Sequence, residues 1–438
     1  MTIAFTPAQL RDMWNEERFL ERFAKLSAIG ATPSGGVHRP FGSAAEERAR
    51  TYVVELLEQE IGLSVEVDAV ANIWATHPGT DPQLPVITLG SHHDSVPDGG
   101  RFDGALGVLV AAEVVQSLRE AGYANRHSLQ VVSFTAEEPN EFDLSTLGSR
   151  TVAGRLDASR LQRARARDGR PLSAALTAVG GDLSRLQRAR KSAGEIAAFL
   201  ELHIEQGQRL ERAGLSVGVV TSICGIYRET VIVRGEPNHA GTTLMADRHD
   251  ALLAAAELAL ALERIARAQA DDVVATVGRF SIAPNATNII PGTCEFVLEI
   301  RGGDSARIHA VRDRFAATSA RVALARGVVV ERTELLDQAP QPLAGSVMEA
   351  LEQAARTLGI AHATLPSMAG HDATHIASFT QAGMLFVPSL GGKSHCPEEE
   401  SRIEDIGQAA RILFAATVAL DAQLQAPPEA AQAREEEQ

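Results

Sequence analysis

The chain has 438 residues, with 41 Lys+Arg against 56 Asp+Glu and a formal charge of −15 at neutral pH. At roughly 150 residues per domain, that length implies two or three domains, each able to bury its own core. The negative balance argues against unspecific binding to nucleic acid or to an anionic membrane. A composition that is 45% hydrophobic and 22% charged is that of a folded rather than a disordered protein.

Cys224, Cys294 and Cys396 are too few and too scattered for a disulfide framework or a thiolate zinc site, and they fit a reducing compartment. No apolar stretch reaches the roughly 18 residues of a membrane span. Arg11, Glu16, Glu17 and Arg18 interrupt any secretory-signal core. The expectation is a soluble, cytoplasmic protein whose 13 histidines need an explanation.

In chain order, Phe19, Leu20, Phe23 and Leu26 recur at helical spacing. Ser43 and Glu46 can form a capping box ahead of a second helix through Tyr52, Val53, Leu56 and Leu57. Strands are expected at 63–67, 72–75, 85–90 and 129–134, with a long helix over 106–118. This alternation predicts an α/β fold, a sheet with helices on both faces. The Arg- and Ala-rich stretch 155–195 reads as a solvated helical excursion, and a strand returns at 199–204.

From residue 218 the rhythm changes to strand 218–236, helix 250–266, strands 273–282 and 293–301, helix 305–325 and strand 328–333. That β-α-β-β-α-β order predicts a ferredoxin-like α+β domain. The expected division is a catalytic domain over 1–215 and 333–425, interrupted by the smaller domain over 216–332. The second catalytic part holds a helix at 346–358, a strand at 384–388 and a helix at 405–420. A disordered tail is expected over 426–438.

Four apolar strand segments run into abrupt polar clusters: Ser91-His92-His93-Asp94, Glu137-Glu138, His203-Ile204-Glu205, and His395 beyond Gly391-Gly392. Open α/β sheets bind ligands beyond the carboxyl ends of their strands. Together these clusters supply nitrogen and oxygen ligands without thiolate, a set suited to Zn²⁺ and also to Mn²⁺, Co²⁺ or Ni²⁺. Asp103, in the glycine-bounded loop 99–104, could bridge two cations, leaving His92, His203, Glu138 and His395 as terminal ligands. Asp94, two residues after His92, is placed to fix an imidazole tautomer from outside the ligand shell. Glu137 suits a general base acting on a water whose pKa a cation lowers. Other templates fail: Gly392-Lys393-Ser394 lacks the leading glycine of a P-loop, since residue 387 is Val, and no G-x-S-x-G elbow is present. Cys396 reads as a bystander next to His395.

Gly90-Ser91-His92-His93-Asp94-Ser95-Val96 with Gly99-Gly100-Arg101-Phe102-Asp103-Gly104 resembles the dimetal amidohydrolases that include N-carbamoyl-L-amino acid hydrolases, β-ureidopropionases and allantoate amidohydrolases, a branch of the aminoacylase-like metallopeptidase superfamily. Phe134–Glu138, Leu147–Arg150, Leu202–Gly207, Asn238–Thr243, Asn288–Gly292, Gly370–Ala373 and Gly391–His395 match the same branch in order, over roughly residues 20 to 420.

The resemblance implies one divalent ion on His92 and His203, another on Glu138 and His395, Asp103 between them, and Glu137 as base. It implies a lid and dimerisation role for the small domain, with His239 reaching the partner's site to stabilise an oxyanion. Arg301 and Asn288 match positions that hold a substrate carboxylate, and Gln206 and His371 match further pocket positions. The implied reaction is hydrolysis of an N-carbamoyl-L-amino acid to amino acid, CO₂ and ammonia by a homodimer. Allantoate, β-ureidopropionate, and N-acyl amino acids or dipeptides are the alternative substrates, and a catalytically silent metal-dependent binding protein is the alternative from another class. The sequence departs from the family pattern at His93, Leu244 and Lys393, and His93 and Lys393 are expected to alter pocket charge.

Overall fold

In the computed structural model, residues 5–269 and 273–424 are described. The tail expected over 426–438 lies outside them. Thirteen strands are labelled in chain order: β1 Ser64–Val67, β2 Ile73–His77, β3 Val86–His92, β4 Leu129–Phe134, β5 Ile196–Ile204, β6 Val217–Ile223, β7 Gly225–Arg234, β8 Val273–Ala283, β9 Thr293–Gly302, β10 Val329–Gln338, β11 Gln341–Pro342, β12 His362–Ser367 and β13 Gln381–Val387. The chain forms two compact units. The first comprises Met1–Thr221, Leu343–Leu365 and His371–Gln438; the second comprises Ser222–Pro342 and Pro366–Gly370.

The first unit is α/β. Its mixed sheet runs β1-β2-β4-β3-β5-β13-β6, and the four central strands β4, β3, β5 and β13 are mutually parallel. These are the strands whose ends carry the polar clusters. Parallel strands covered on both faces read as continuous apolar runs, and β3 is buried along almost its whole length. On one face Ile87, Leu89, Val131, Leu200 and Leu385 pack in one core with Phe23, Val53, Leu109 and Leu413 from helices Glu16–Ala28, Ala44–Glu55, Ala105–Glu120 and Ile403–Gln423. On the other, Phe134 meets Trp74 and Phe199 edge-on. At about 25 cal/mol per Å² of apolar surface removed from water, such a core dominates the favourable side of folding.

Two expectations need correction here. The stretch 155–195 is not merely solvated: Leu161, Leu172, Ala175, Leu176 and Val179 are buried with Phe41, Phe142, Leu144 and Leu147. Its helices, Ala158–Arg163 and Leu172–Ala178, are too short to show a 3.6-residue period among the arginines. The single strand expected over 218–236 is two, β6 and β7, divided at Cys224, whose N–H donates to the Ser367 carbonyl at 2.9 Å. Strand β12 was not anticipated, because Pro366 within it argues against a strand.

The second unit is a β-α-β-β-α-β sandwich with the antiparallel order β10-β7-β9-β8. Strands β7 and β9 alternate between buried and half-buried residues, up to the exposed Arg234 that ends β7, as expected when one face meets helices. Val231, Val233, Phe296, Leu298 and Ile300 pack against Leu258 and Phe315 of helices Ala251–Arg267 and Ser305–Arg326.

Candidate metal centre

The centre is built at the carboxyl ends of the parallel strands of the first unit. His92 closes β3, and its Nδ1 lies 3.1 Å from the Asp94 backbone oxygen. His203, near the end of β5, has Nδ1 3.0 Å from the Ile204 carbonyl. A carbonyl can only accept, so each Nδ1 donates and each Nε2 is left to face inward. Both Nε2 atoms face the same oxygen, Asp103 Oδ1, at 3.5 Å for His92 and 3.2 Å for His203. The other oxygen, Asp103 Oδ2, lies 3.2 Å from His395 Nε2, which is also 3.1 Å from Glu138 Oε1.

One carboxylate is thus shared between a His92-Asp103-His203 group and an Asp103-Glu138-His395 group, the ligand atoms within each lying inside 4.8 Å. Imidazole nitrogens and carboxylate oxygens in two such groups fit divalent cations. His92, Asp103 and His203 are buried, whereas 47% of the His395 side chain is exposed, so the centre opens to solvent on the His395 side.

Electrostatics follow the geometry. Burial opposes a charged His92, but the facing Asp103 and Asp94 outweigh it and hold its pKa well above the ordinary imidazole value. Burial would push Asp103 up, yet His203, His395 and His92 hold it well below the carboxylate range. Glu137 goes the other way: burial, with Glu138, Asp372 and Asp94 adding negative charge, raises it well above, against the pull of His92. Its Oε2 lies 3.8 Å from His92 Nε2.

The loops that present these groups are held by specific bonds. Gly104, with φ +63°, precedes helix Ala105–Glu120, and a Cβ there would lie 2.3 Å from the His92 ring, so only glycine lets the imidazole sit against this turn. Ala136, Gln206 and His395 are non-glycine residues with φ of 53°, 58° and 57°, a strained conformation that tends to cluster at functional sites.

The Asp94 carboxylate accepts from the backbone N–H groups of Glu137 (3.2 Å) and Glu138 (3.1 Å) and lies 3.5 Å from His92 Nδ1, whose shorter contact is the Asp94 backbone oxygen at 3.1 Å. Gln206 donates from Nε2 to Asp103 Oδ2 at 2.8 Å. His371 is buried edge-on against the His203 ring, centroids 4.5 Å apart. Burial and His203 hold its pKa well below the usual value. With Glu201 and His203 it forms a third group of potential ligands. Glu201 was missed, although its position two residues before His203 on a strand places both side chains on one face.

His93 lies elsewhere. Its Nδ1 meets Ser133 Oγ at 2.6 Å and its Nε2 meets Glu46 Oε1 at 3.1 Å, an oxygen that also pairs with Arg50. Successive residues of a strand face opposite sides. His93 therefore belongs to a buried polar network away from the ligand cluster, and the expectation that it alters pocket charge does not hold. Lys393 is exposed and follows the turn Leu390–Gly392.

The remaining predicted residues sit in the second unit. His239 is exposed, and its Nδ1 accepts from the N–H groups of Gly241 (3.0 Å) and Thr242 (3.2 Å), which leaves the proton of the neutral ring on Nε2. A bridge between His239 and Ile289, with Ala240 N–H donating to the Asn288 carbonyl at 3.0 Å, brings the Asn288 loop alongside. Arg301 on β9 is half-buried, its Nε on Glu299 Oε1 at 2.6 Å and its Nη1 3.4 Å from the Met368 carbonyl. Leu244 is 71% exposed.

No helix among the described residues is long and apolar enough to cross a membrane. Comparison with known proteins places these features in a family. Residues 88–418 match the model of peptidase family M20/M25/M40. The chain is 38% identical over 405 residues to an N-carbamoyl-L-amino-acid amidohydrolase of Paenarthrobacter aurescens, covering 92% of this chain and 97% of that protein. It is 36% identical to a ureidoglycolate hydrolase of Arabidopsis thaliana over 89% of this chain and 83% of that one. A crystal structure of a hydantoinase/carbamoylase family amidase from Burkholderia ambifaria superposes with a TM-score of 0.86 at 34% identity, over 93% and 97% of the two chains. Matched along most of its length in both sequence and fold, the chain belongs to peptidase family M20/M25/M40.

Proposed function

We propose that this amidohydrolase binds two divalent cations and cleaves the C–N bond of an N-carbamoyl-L-amino acid. The observation that carries the reading is Asp103, whose two oxygens face separate ligand groups. His92 and His203 would hold one ion, Glu138 and His395 the other, with Asp103 between them. Zn²⁺ suits the donors, as do Mn²⁺, Co²⁺ and Ni²⁺. Bound cations supply Lewis acidity and lower the pKa of water.

The chain's own residues handle the proton and the charge. Glu137 takes a proton from the attacking water and returns it to the leaving nitrogen. His239 Nε2–H donates to the carbonyl oxygen as negative charge develops there. Arg301 and Asn288 bind the substrate carboxylate, the guanidinium fork matching its two oxygens, and His371 and Gln206 line the pocket. Water adds to the ureido carbonyl and the bond to the amino acid nitrogen breaks, giving the free amino acid and carbamate, which decomposes to CO₂ and ammonia.

Release of ammonia from the ureido substrates, and of free amine from N-acyl amino acids, tests the substrate. Chelator-stripped protein reloaded with each of the four metals should release ammonia from N-carbamoyl-L-amino acids and lose most turnover on analogues lacking the carboxylate. Preference for allantoate, β-ureidopropionate, ureidoglycolate or an N-acyl amino acid would move the assignment within the same chemistry. Binding without product for any of them would favour a silent binding protein.

The reading also includes a homodimer in which His239 serves the partner's centre, and residence in the reducing cytoplasm, in keeping with the free cysteines Cys224, Cys294 and Cys396. His239→Ala should cost about 100- to 1,000-fold in kcat with metal content unchanged. Mixing His239→Ala with Glu137→Gln subunits should then restore about a quarter of wild-type activity, because each mixed dimer regains one complete site. No recovery on mixing would place His239 in its own subunit's site.

A further inference from the structure

Glu399 has no part in the reaction as described, yet its side chain is buried, at 1% residue exposure, beside the metal centre. A carboxylate is costly to bury unless its oxygens are satisfied. Here Oε1 accepts from the backbone N–H groups of Phe102 (2.9 Å) and Asp103 (3.0 Å), and Oε2 lies 3.0 Å from Ser394 Oγ. The same hydroxyl lies 3.1 Å from Asp103 Oδ2 and 3.2 Å from Gln206 Nε2. Gly100 is shaped to this contact, since a Cβ there would lie 1.9 Å from Glu399 Oε1. The Glu399 N–H donates to the Cys396 carbonyl at 3.1 Å, closing the turn that directly follows His395.

We infer that Glu399 is a positioning residue that clamps the loop carrying Asp103 to the loop carrying His395, so that the Asp103-Glu138-His395 group is formed before a cation arrives. This rests on the two-cation reading above. His92 and His203 stand on sheet strands and need no such clamp. His395 stands on a loop, with positive φ and a half-exposed side chain. Loss of the clamp therefore falls on the second group more than on the first. Ligands oriented by outer partners typically lose about 10- to 100-fold in metal affinity when the partner is removed.

The test is titration of the chelator-stripped full-length protein with Zn²⁺ by calorimetry and with Co²⁺ by visible absorption. Wild type should take two ions. Glu399→Ala should bind one ion as wild type does and the other about 10- to 100-fold more weakly, with a changed cobalt spectrum for that ion. Glu399→Gln should restore binding, since its amide oxygen can accept both N–H groups and its amide nitrogen can reach Ser394. Should Glu399→Ala fail to fold, Gly100→Ala displaces the carboxylate without removing it and should give the same selective loss. Wild-type binding of both ions by Glu399→Ala or Gly100→Ala overturns the clamp, as does equal impairment of Glu399→Ala and Glu399→Gln. A wild-type protein that binds no ion overturns the two-cation reading itself.

Discussion

Glu137→Gln should keep both metal ions and lose about 100- to 10,000-fold in kcat, the usual worth of a positioned general base and acid. The substitution is nearly isosteric, and Glu137 is in neither group of converging ligand atoms that share Asp103. Its backbone is fixed independently of its carboxyl: the N–H donates to Asp94 at 3.2 Å and the carbonyl accepts from Thr146 N–H at 2.7 Å. Its side chain is 11% exposed with Oε2 3.8 Å from His92 Nε2, so the carboxyl borders the ligands from a largely dry position. The amide can hold a water by hydrogen bonds but cannot carry its proton to the leaving nitrogen. Metal analysis and steady-state kinetics on one sample decide the matter. A fully loaded variant with wild-type kcat would place the base elsewhere, and a variant without metal would make Glu137 a ligand.

Most of this centre was legible because four apolar runs each end in a polar cluster, and parallel strands collect such ends on one edge of a sheet. The spacing of His92 to Asp94 singles out His92 as the ligand, and the register shows why His93 is not one. Strands β3 and β4 pair Ser91 with Ser133 and His92 with Phe134. His93, on the Ser91 side, meets Ser133 Oγ with its Nδ1 at 2.6 Å. The position of Gln206 on Asp103 depends on a left-handed turn at a non-glycine residue, which leaves no compositional trace. His239, Asn288 and Arg301 could be named only through resemblance. Each sits in a loop or on a strand of the second unit where periodicity reports core positions and nothing about chemistry. Glu399 went unnoticed for a related reason: within Glu398-Glu399-Glu400 its burial distinguishes it, and a run of three acids reads as solvated surface.

Asp103→Asn is expected to be the most damaging single change, because one atom pair organises both ligand groups. Oδ1 serves His92 and His203 while Oδ2 serves His395. The amide removes the negative charge and turns one of the two acceptors into a donor aimed at an imidazole nitrogen. The loss of metal affinity should exceed the roughly 100-fold upper cost of losing an outer partner, and activity should fall with it. Protons give a second readout. Before cations bind, Asp103 and Glu138 hold the His395 imidazole charged, its pKa pushed up to about 11. A cation must displace that proton, so wild-type affinity should climb as pH rises and uptake should release acid into a weak buffer. In Asp103→Asn the strongest partner of His395 is gone, its pKa moves back toward the ordinary imidazole value of about 6.5, and binding of any remaining ion should release fewer protons at neutral pH. Calorimetry in buffers of different ionisation enthalpy measures that release. An Asp103→Asn protein that binds two ions with wild-type affinity and the wild-type proton count would show that the shared carboxylate does not bridge them.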